Sequence, residues 1–144
     1  MTRGYLNNNP LNIEISKGKA WNGEIRPSQD MRFAQFKSMA FGYRAAFRLL
    51  QNYEKLHGCK ILADFINRWC PPTEKGNHTD KYIEIVATRC HITAESVIDT
   101  HNEFLMRKIV AAMSYVENGI EADEELVKAG WDLLKKNVNF EHKK

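Results

Sequence analysis

Apolar positions follow two periods along the chain: two near the start, and close to four from residue 38 onward. Leu11, Ile13 and Ile15 alternate with polar residues, as in a strand with one buried face. Lys17-Gly18-Lys19 and Asn22-Gly23 are turn signals, and Pro27-Ser28 marks a further loop. Met31, Phe33 and Phe36 then supply large apolar anchors. Residues 11–36 therefore predict a β-hairpin or small sheet.

From Ser38 the pattern is helical. Phe41, Ala45, Leu49 and Tyr53 recur every four residues beside Ala46, Phe47 and Leu50. They predict a helix capped by Ser38, running to about His57 and stopped by Gly58. Gly42 inside it would admit the close approach of another backbone, or would simply cost a little stability. Ile61, Leu62, Phe65, Ile66 and Trp69 predict a short amphipathic helix that Pro71-Pro72 ends. Thr79 or Asp80 caps the next, with Tyr82, Ile83, Ile85 and Val86 inward, and residues 93–96 read as the cap and first turn of another short helix. Phe104, Ile109, Val110, Met113 and Val116 form a further helix ended by Asn118-Gly119. The last runs from about Asp123 to Lys136, and the polar tail 137–144 is expected to fray. The expected fold is mainly α (α+β), a single domain over 1–144: turn and hairpin over 1–36, helices over 38–136.

The entry to this chain is unusual. Asn7-Asn8-Asn9-Pro10 and Asn12 lie within a few residues of each other. Asn tolerates positive φ and bonds its own backbone, and Pro10 drives Asn9 toward an extended conformation. The stretch reads as a turn leading into a strand, or as a frame of amides facing a polar ligand such as a sugar.

Composition narrows the function classes. The net charge of +3 is too small to argue for nucleic acid, though it suits an anionic polymer such as a cell-wall glycan. No apolar run approaches a membrane span, and no signal segment opens the chain. A protein made in the cytoplasm, carried in a particle or released on lysis, is expected. Cys59, Cys70 and Cys90 are expected to be free thiols. The histidines show no metal-ligand spacing, and no nucleotide-binding loop is present, so neither metal nor cofactor is expected.

Several pieces together resemble a known pattern. Arg3-Gly4-x-x-Asn7-Asn8-Asn9-Pro10-x-Asn12-Ile13 is followed by Trp21-x-Gly23, then Asp30-x-x-Phe33-x-x-Phe36. Gly42-x-Arg44-Ala45, Arg68-Trp69-x-Pro71-Pro72 and Thr79-x-x-Tyr82 come next. Over residues 3–92 this resembles a group of small phage and prophage proteins usually described as virion structural proteins. A second resemblance is to autolysin-type glucosaminidases of the lysozyme-like superfamily. It rests on Asn8-Asn9-x-x-x-Ile13, a short hairpin, Phe33 to Ser38 entering a helix, and Thr79-Asp80-Lys81-Tyr82, one residue shorter than the family form. It implies a lysozyme-like helical domain in which Tyr82 lines a glycan cleft and Thr79 and Asp80 shape its rim. In those enzymes the acid glutamate sits on a helix ahead of the Asn-Asn segment, and only six residues precede Asn7 here.

Glycoside cleavage needs a carboxylic acid of raised pKa and, in most cases, a second carboxylate. Glu14, Glu24, Asp30 and Glu74 are near the expected cleft, with Glu24 or Glu74 as acid and Asp30 as partner. Each is also an ordinary structural residue: Glu24 a solvated hairpin charge, Asp30 a turn cap, Glu74 a loop carboxylate. Arg44 and Arg68 are expected to pair with Asp30 or Glu74. Asn7, Asn8, Asn9, Asn12, Trp21, Arg68, Thr79 and Tyr82 are the expected substrate-binding set, with core packing the alternative for the aromatics. Two functions follow: a lysozyme-like phage protein that cleaves peptidoglycan, or a non-catalytic virion structural or glycan-binding protein on the same scaffold. Its partners would be peptidoglycan or another glycan, and other virion proteins.

Overall fold

The computed structural model describes residues 1–136. A single helical turn, α1 (Arg3–Leu6), opens the chain, with the Thr2 hydroxyl accepting from the Tyr5 N–H as its cap. Two short strands follow, β1 (Glu24–Ile25) and β2 (Gln35–Phe36), antiparallel with Glu24 opposite Phe36. Five longer helices complete the described chain: α2 (Met39–His57), α3 (Leu62–Trp69), α4 (Thr79–Cys90), α5 (Glu103–Asn118) and α6 (Glu124–Lys136). The architecture is mainly α with a small hairpin, as the two periods predict. The tail expected to fray lies outside the described residues.

Local signals set most helix ends. Ser38 caps α2, and Gly58 ends it at a φ of 68°. Gly119 ends α5 in the same left-handed geometry. Ile61 has no polar side chain with which to cap α3. Asp64 reaches back instead and accepts from the backbone N–H groups of Lys60 and Ile61. Thr79 is the first residue of α4 rather than its cap, because its hydroxyl donates to the Cys70 carbonyl.

Three expectations differ from the structure. The alternation at residues 11–15 buries Leu11 and Ile13 but exposes Ile15, and only Glu14 forms a ladder bridge there, to Phe33. Residues 93–96 form a turn closed by Thr93 and Ser96, because Val97 is pulled into a bridge with Ile61 before a helix can propagate. Met31 is not an anchor but lies almost fully exposed on the loop before β2.

The core lies between α2, α5 and α6, closed on one side by α3 and α4. Trp131 of α6 meets Phe47 of α2 edge-on, with ring centroids 5.1 Å apart. The N-terminal loop reaches this core at Gly42. A Cβ there would lie 2.1 Å from the Asn8 carbonyl oxygen and 2.6 Å from Pro10 Cδ, so only glycine lets the loop seat on α2. Gly42→Ala is expected to lower unfolding free energy by about 3 kcal/mol, because backbone must move. Gly58→Ala, with open space around the new methyl, should cost only about 1 kcal/mol of left-handed strain. Urea unfolding of the two variants measures the difference.

Candidate functional site

The asparagine-rich entry folds into a clasp. Asn9 is fully buried. Its side-chain amide donates to the carbonyls of Ile13 and Ala34, and its Oδ1 accepts from the Ile13 N–H. Asn8 donates to the Phe36 carbonyl, and Asn7 donates to Asp30. Asp30 also takes both prongs of Arg3, at 2.6 and 2.8 Å, and the backbone N–H groups of Arg32 and Phe33. The Arg3 hydrogen bond is the largest influence holding its carboxyl well below the usual range. At the other edge Asn118, the last residue of α5, donates to the Pro10 carbonyl and accepts from the Thr2 hydroxyl.

The clasp forms one wall of a cleft of about 330 Å³. Asn12, Glu14, Arg32 and Phe33 line this side. Across from them are Leu49 and Tyr53 of α2, Trp69 at the end of α3, and Glu74 and Asn77 in the loop that follows. Glu117, in the last turn of α5, lines the same cleft.

Glu117 is the chemically distinctive group. Its Oε1 accepts from Asn12 Nδ2 at 3.2 Å. Its Oε2 accepts from Trp69 Nε1 at 3.2 Å and from the Tyr82 hydroxyl at 3.0 Å. Burial raises the carboxyl pKa more than these three donors lower it. The negative end of the α5 dipole acts in the same direction as burial. Tyr82 is itself pushed well up, first by burial and then by Glu117, so its phenol stays protonated as a donor. Asn12 holds its amide over Glu117 from a backbone φ of 56°, and its buried Oδ1 has no hydrogen-bond partner among the described residues. The site is thus a half-buried acid inclined toward its protonated form, open to a groove with an aromatic wall.

The residues singled out from the sequence divide between scaffold and groove. Asn7, Asn8 and Asn9 spend their amides on the clasp, and Asn12 reaches the groove. Trp21 is 2% exposed and belongs to the core. Trp69, weighed as core, lines the groove and bonds Glu117. Tyr82 lies behind the groove with its hydroxyl on Glu117, and Thr79 is buried on the Cys70 carbonyl. Glu24 is held by Arg26 at 3.0 Å and by the Trp21 N–H, with its side chain 1% exposed. Asp30 is an anchor for Arg3 rather than a proton donor. Glu74 borders the groove near Asn77. The expected pairing of Arg44 or Arg68 with these acids does not occur: Arg44 is fully buried on α2, and Arg68 contacts His57 and Tyr53. The three cysteines are free thiols.

Sequence reasoning missed Glu117, although its spacing carries a signal. Met106, Val110 and Met113 are fully buried on one face of α5. Glu117 follows at the next step of that stripe, where a leucine would be ordinary. A carboxylate on a buried stripe requires partners.

With this geometry in view, the chain belongs to a family of phage proteins. Over 119 residues it is 35% identical to Protein P5 of Pseudoalteromonas phage PM2, a match spanning 81% of the chain and 71% of that protein. No protein-family model matches it. No helix among the described residues is long and apolar enough to cross a membrane.

The raised Glu117 pKa has a consequence for stability. Below the ordinary glutamate value of 4.5 both folded and unfolded states hold the proton, and burial costs nothing. As pH rises past that value the unfolded state ionises first, so stability falls until the folded-state pKa is passed. Glu117→Gln is expected to remove this loss. The stability of the variant relative to the parent should grow as pH rises above 4.5 and then level off, as read by thermal melts across pH. A difference independent of pH would show that Glu117 is not perturbed.

Proposed function

We propose that this protein is a component of a phage particle that engages a host cell-wall glycan through the groove, with Glu117 as its acid. The membership in a phage protein family supports the first part. The observation that carries the second is the Glu117 carboxyl: half-buried, raised in pKa, and bonded to an indole, a phenol and an amide beside an open cleft. A carboxyl whose proton affinity is raised by burial is suited to deliver that proton to a glycosidic oxygen as the bond breaks. Trp69 borders the cleft with an aromatic ring on which a sugar can stack, and Asn77, also in the lining, has its side-chain oxygen to offer a hydroxyl. Glu14 and Glu74 line the same groove, and Glu14, paired with Arg32 at 3.1 Å, is placed to serve as the second carboxylate.

The likeness to autolysin-type glucosaminidases gains support from the same residue. Those enzymes carry their acid on a helix ahead of the Asn-Asn segment. Here α5 follows that segment by some way in the chain, yet its C-terminal turn packs against it through Asn118 and Glu117. In this reading the acid comes from a later helix that meets the same segment. A lysozyme-like arrangement with altered helix order is therefore our reading of the scaffold.

A second reading keeps the particle and the glycan but not the cut. It is favoured by the bonding of Glu117, both of whose oxygens are already satisfied within the chain, as in a purely structural node. Turbidity clearing of purified cell walls separates the two. The parent protein is expected to clear walls, and Glu117→Gln to clear them at least about 100-fold more slowly. Glu14→Gln and Glu74→Gln then show which carboxylate assists. Walls that sediment the parent protein without being cleared would leave binding as the function.

A further inference from the structure

The groove does not end at Trp69. Leu49 and Tyr53 line both the cleft that holds Glu117 and a second depression bounded by Arg68 and Pro71, so the two form one continuous surface. Arg68 stands over the Tyr53 ring, its guanidinium carbon 5.3 Å from the ring centroid. One of its terminal nitrogens lies 3.1 Å from His57 Nε2. These two contacts orient the guanidinium plane, and among the described residues no carboxylate pairs with it. The other exposed arginines at this side of the molecule are committed: Arg3 to Asp30 and Arg32 to Glu14. A planar, oriented guanidinium with free N–H groups is a receptor for a carboxylate, which it grips with two parallel hydrogen bonds.

We propose that Arg68 over Tyr53 forms a carboxylate-binding subsite at the end of the groove, so that the glycan it takes is one whose sugars carry acidic substituents. Amino-sugar polymers bearing lactyl or peptide carboxylates have that chemistry, and neutral amino-sugar polymers lack it. The inference rests on the glycan reading of the groove. It assigns Arg68 to ligand binding rather than to the acid step, since Arg68 lines the second depression and Glu117 the first.

The test uses the Glu117→Gln protein, which binds without cutting, and the same protein with Arg68→Gln or Arg68→Lys. Each is sedimented with purified cell walls and with walls whose carboxylates have been converted to neutral amides. Arg68→Gln should weaken binding to native walls by about tenfold, and Arg68→Lys, which keeps the charge but not the fork, by less. Amidation of the walls should weaken the Arg68 protein to the same level and leave the Arg68→Gln protein unaffected. Equal binding of all three proteins to both walls overturns the subsite while the groove reading stands. Failure of the Arg68 protein to bind either wall overturns both. Because Arg68 is exposed, its substitution leaves the core untouched, and unchanged thermal melts of the variants confirm that.

Discussion

The buried amide of Asn9 is the contact on which the rest of the site depends. One side chain bonds three backbone groups from two segments, Ile13 on its own loop and Ala34 on the strand side of the hairpin. A fully buried amide carries a large desolvation cost that only complete bonding offsets, so this node has essentially one geometry. It sets the path of the chain from Asn9 to Ile13, and so the point from which Asn12 projects. Its neighbours extend the constraint: the Asn8 carbonyl presses on Gly42 of α2, and Asn118 ties Pro10 to the end of α5. Loop, hairpin, α2 and α5 thereby share one junction.

The acid stands on that junction. Glu117 is one residue from Asn118, so the bond that fixes the end of α5 also fixes where the carboxyl points. The three donors that meet it come from a loop, from the end of α3 and from α4. A carboxyl at the C-terminal end of a helix, on its apolar face, is a costly placement. Burial raises its proton affinity, and polar partners drawn from three elements offset that rise only in part. Asp30, only a short way off in the loop wall, has the opposite environment, with a bidentate arginine and two backbone donors. Two carboxyls on one scaffold are thus driven apart in acidity by what surrounds them.

The outer parts of the groove are built more loosely. Glu14 and Arg32 form an exposed pair, worth little to folding, and Arg68 rests on a tyrosine face. These groups cost the fold little, and Arg68, with no carboxylate on it among the described residues, is the arginine that remains available to a ligand. The phage family to which the chain belongs supplies the setting; the groove's chemistry supplies the kind of molecule it can meet.

Much of the scaffold was legible in the residues themselves. The four-residue spacing from Phe41 to Tyr53, the serine before it and the glycine after it specify α2, because period, cap and stop are local properties of the backbone. The same holds for the end of α5 at Gly119. At Gly42 the sequence offered a close approach or a small loss of stability, and the Asn8 carbonyl against it decides for the first. Roles within the site were not. Trp21 and Trp69 look alike in sequence, yet one is core and the other lines the cleft, because burial depends on what packs from outside the segment. Glu24 as acid and Asp30 as its partner are both legible as candidates, but only the structure shows the arginine that each one holds. Above all, Asn12 and Glu117 lie 105 residues apart and make no local pattern together. By itself the sequence determined the ends of α2 and the stop of α5, where cap and glycine act locally. Only the packing of α5 against the asparagine clasp decided which carboxyl would be withdrawn from water, and desolvation is a property of the assembled fold.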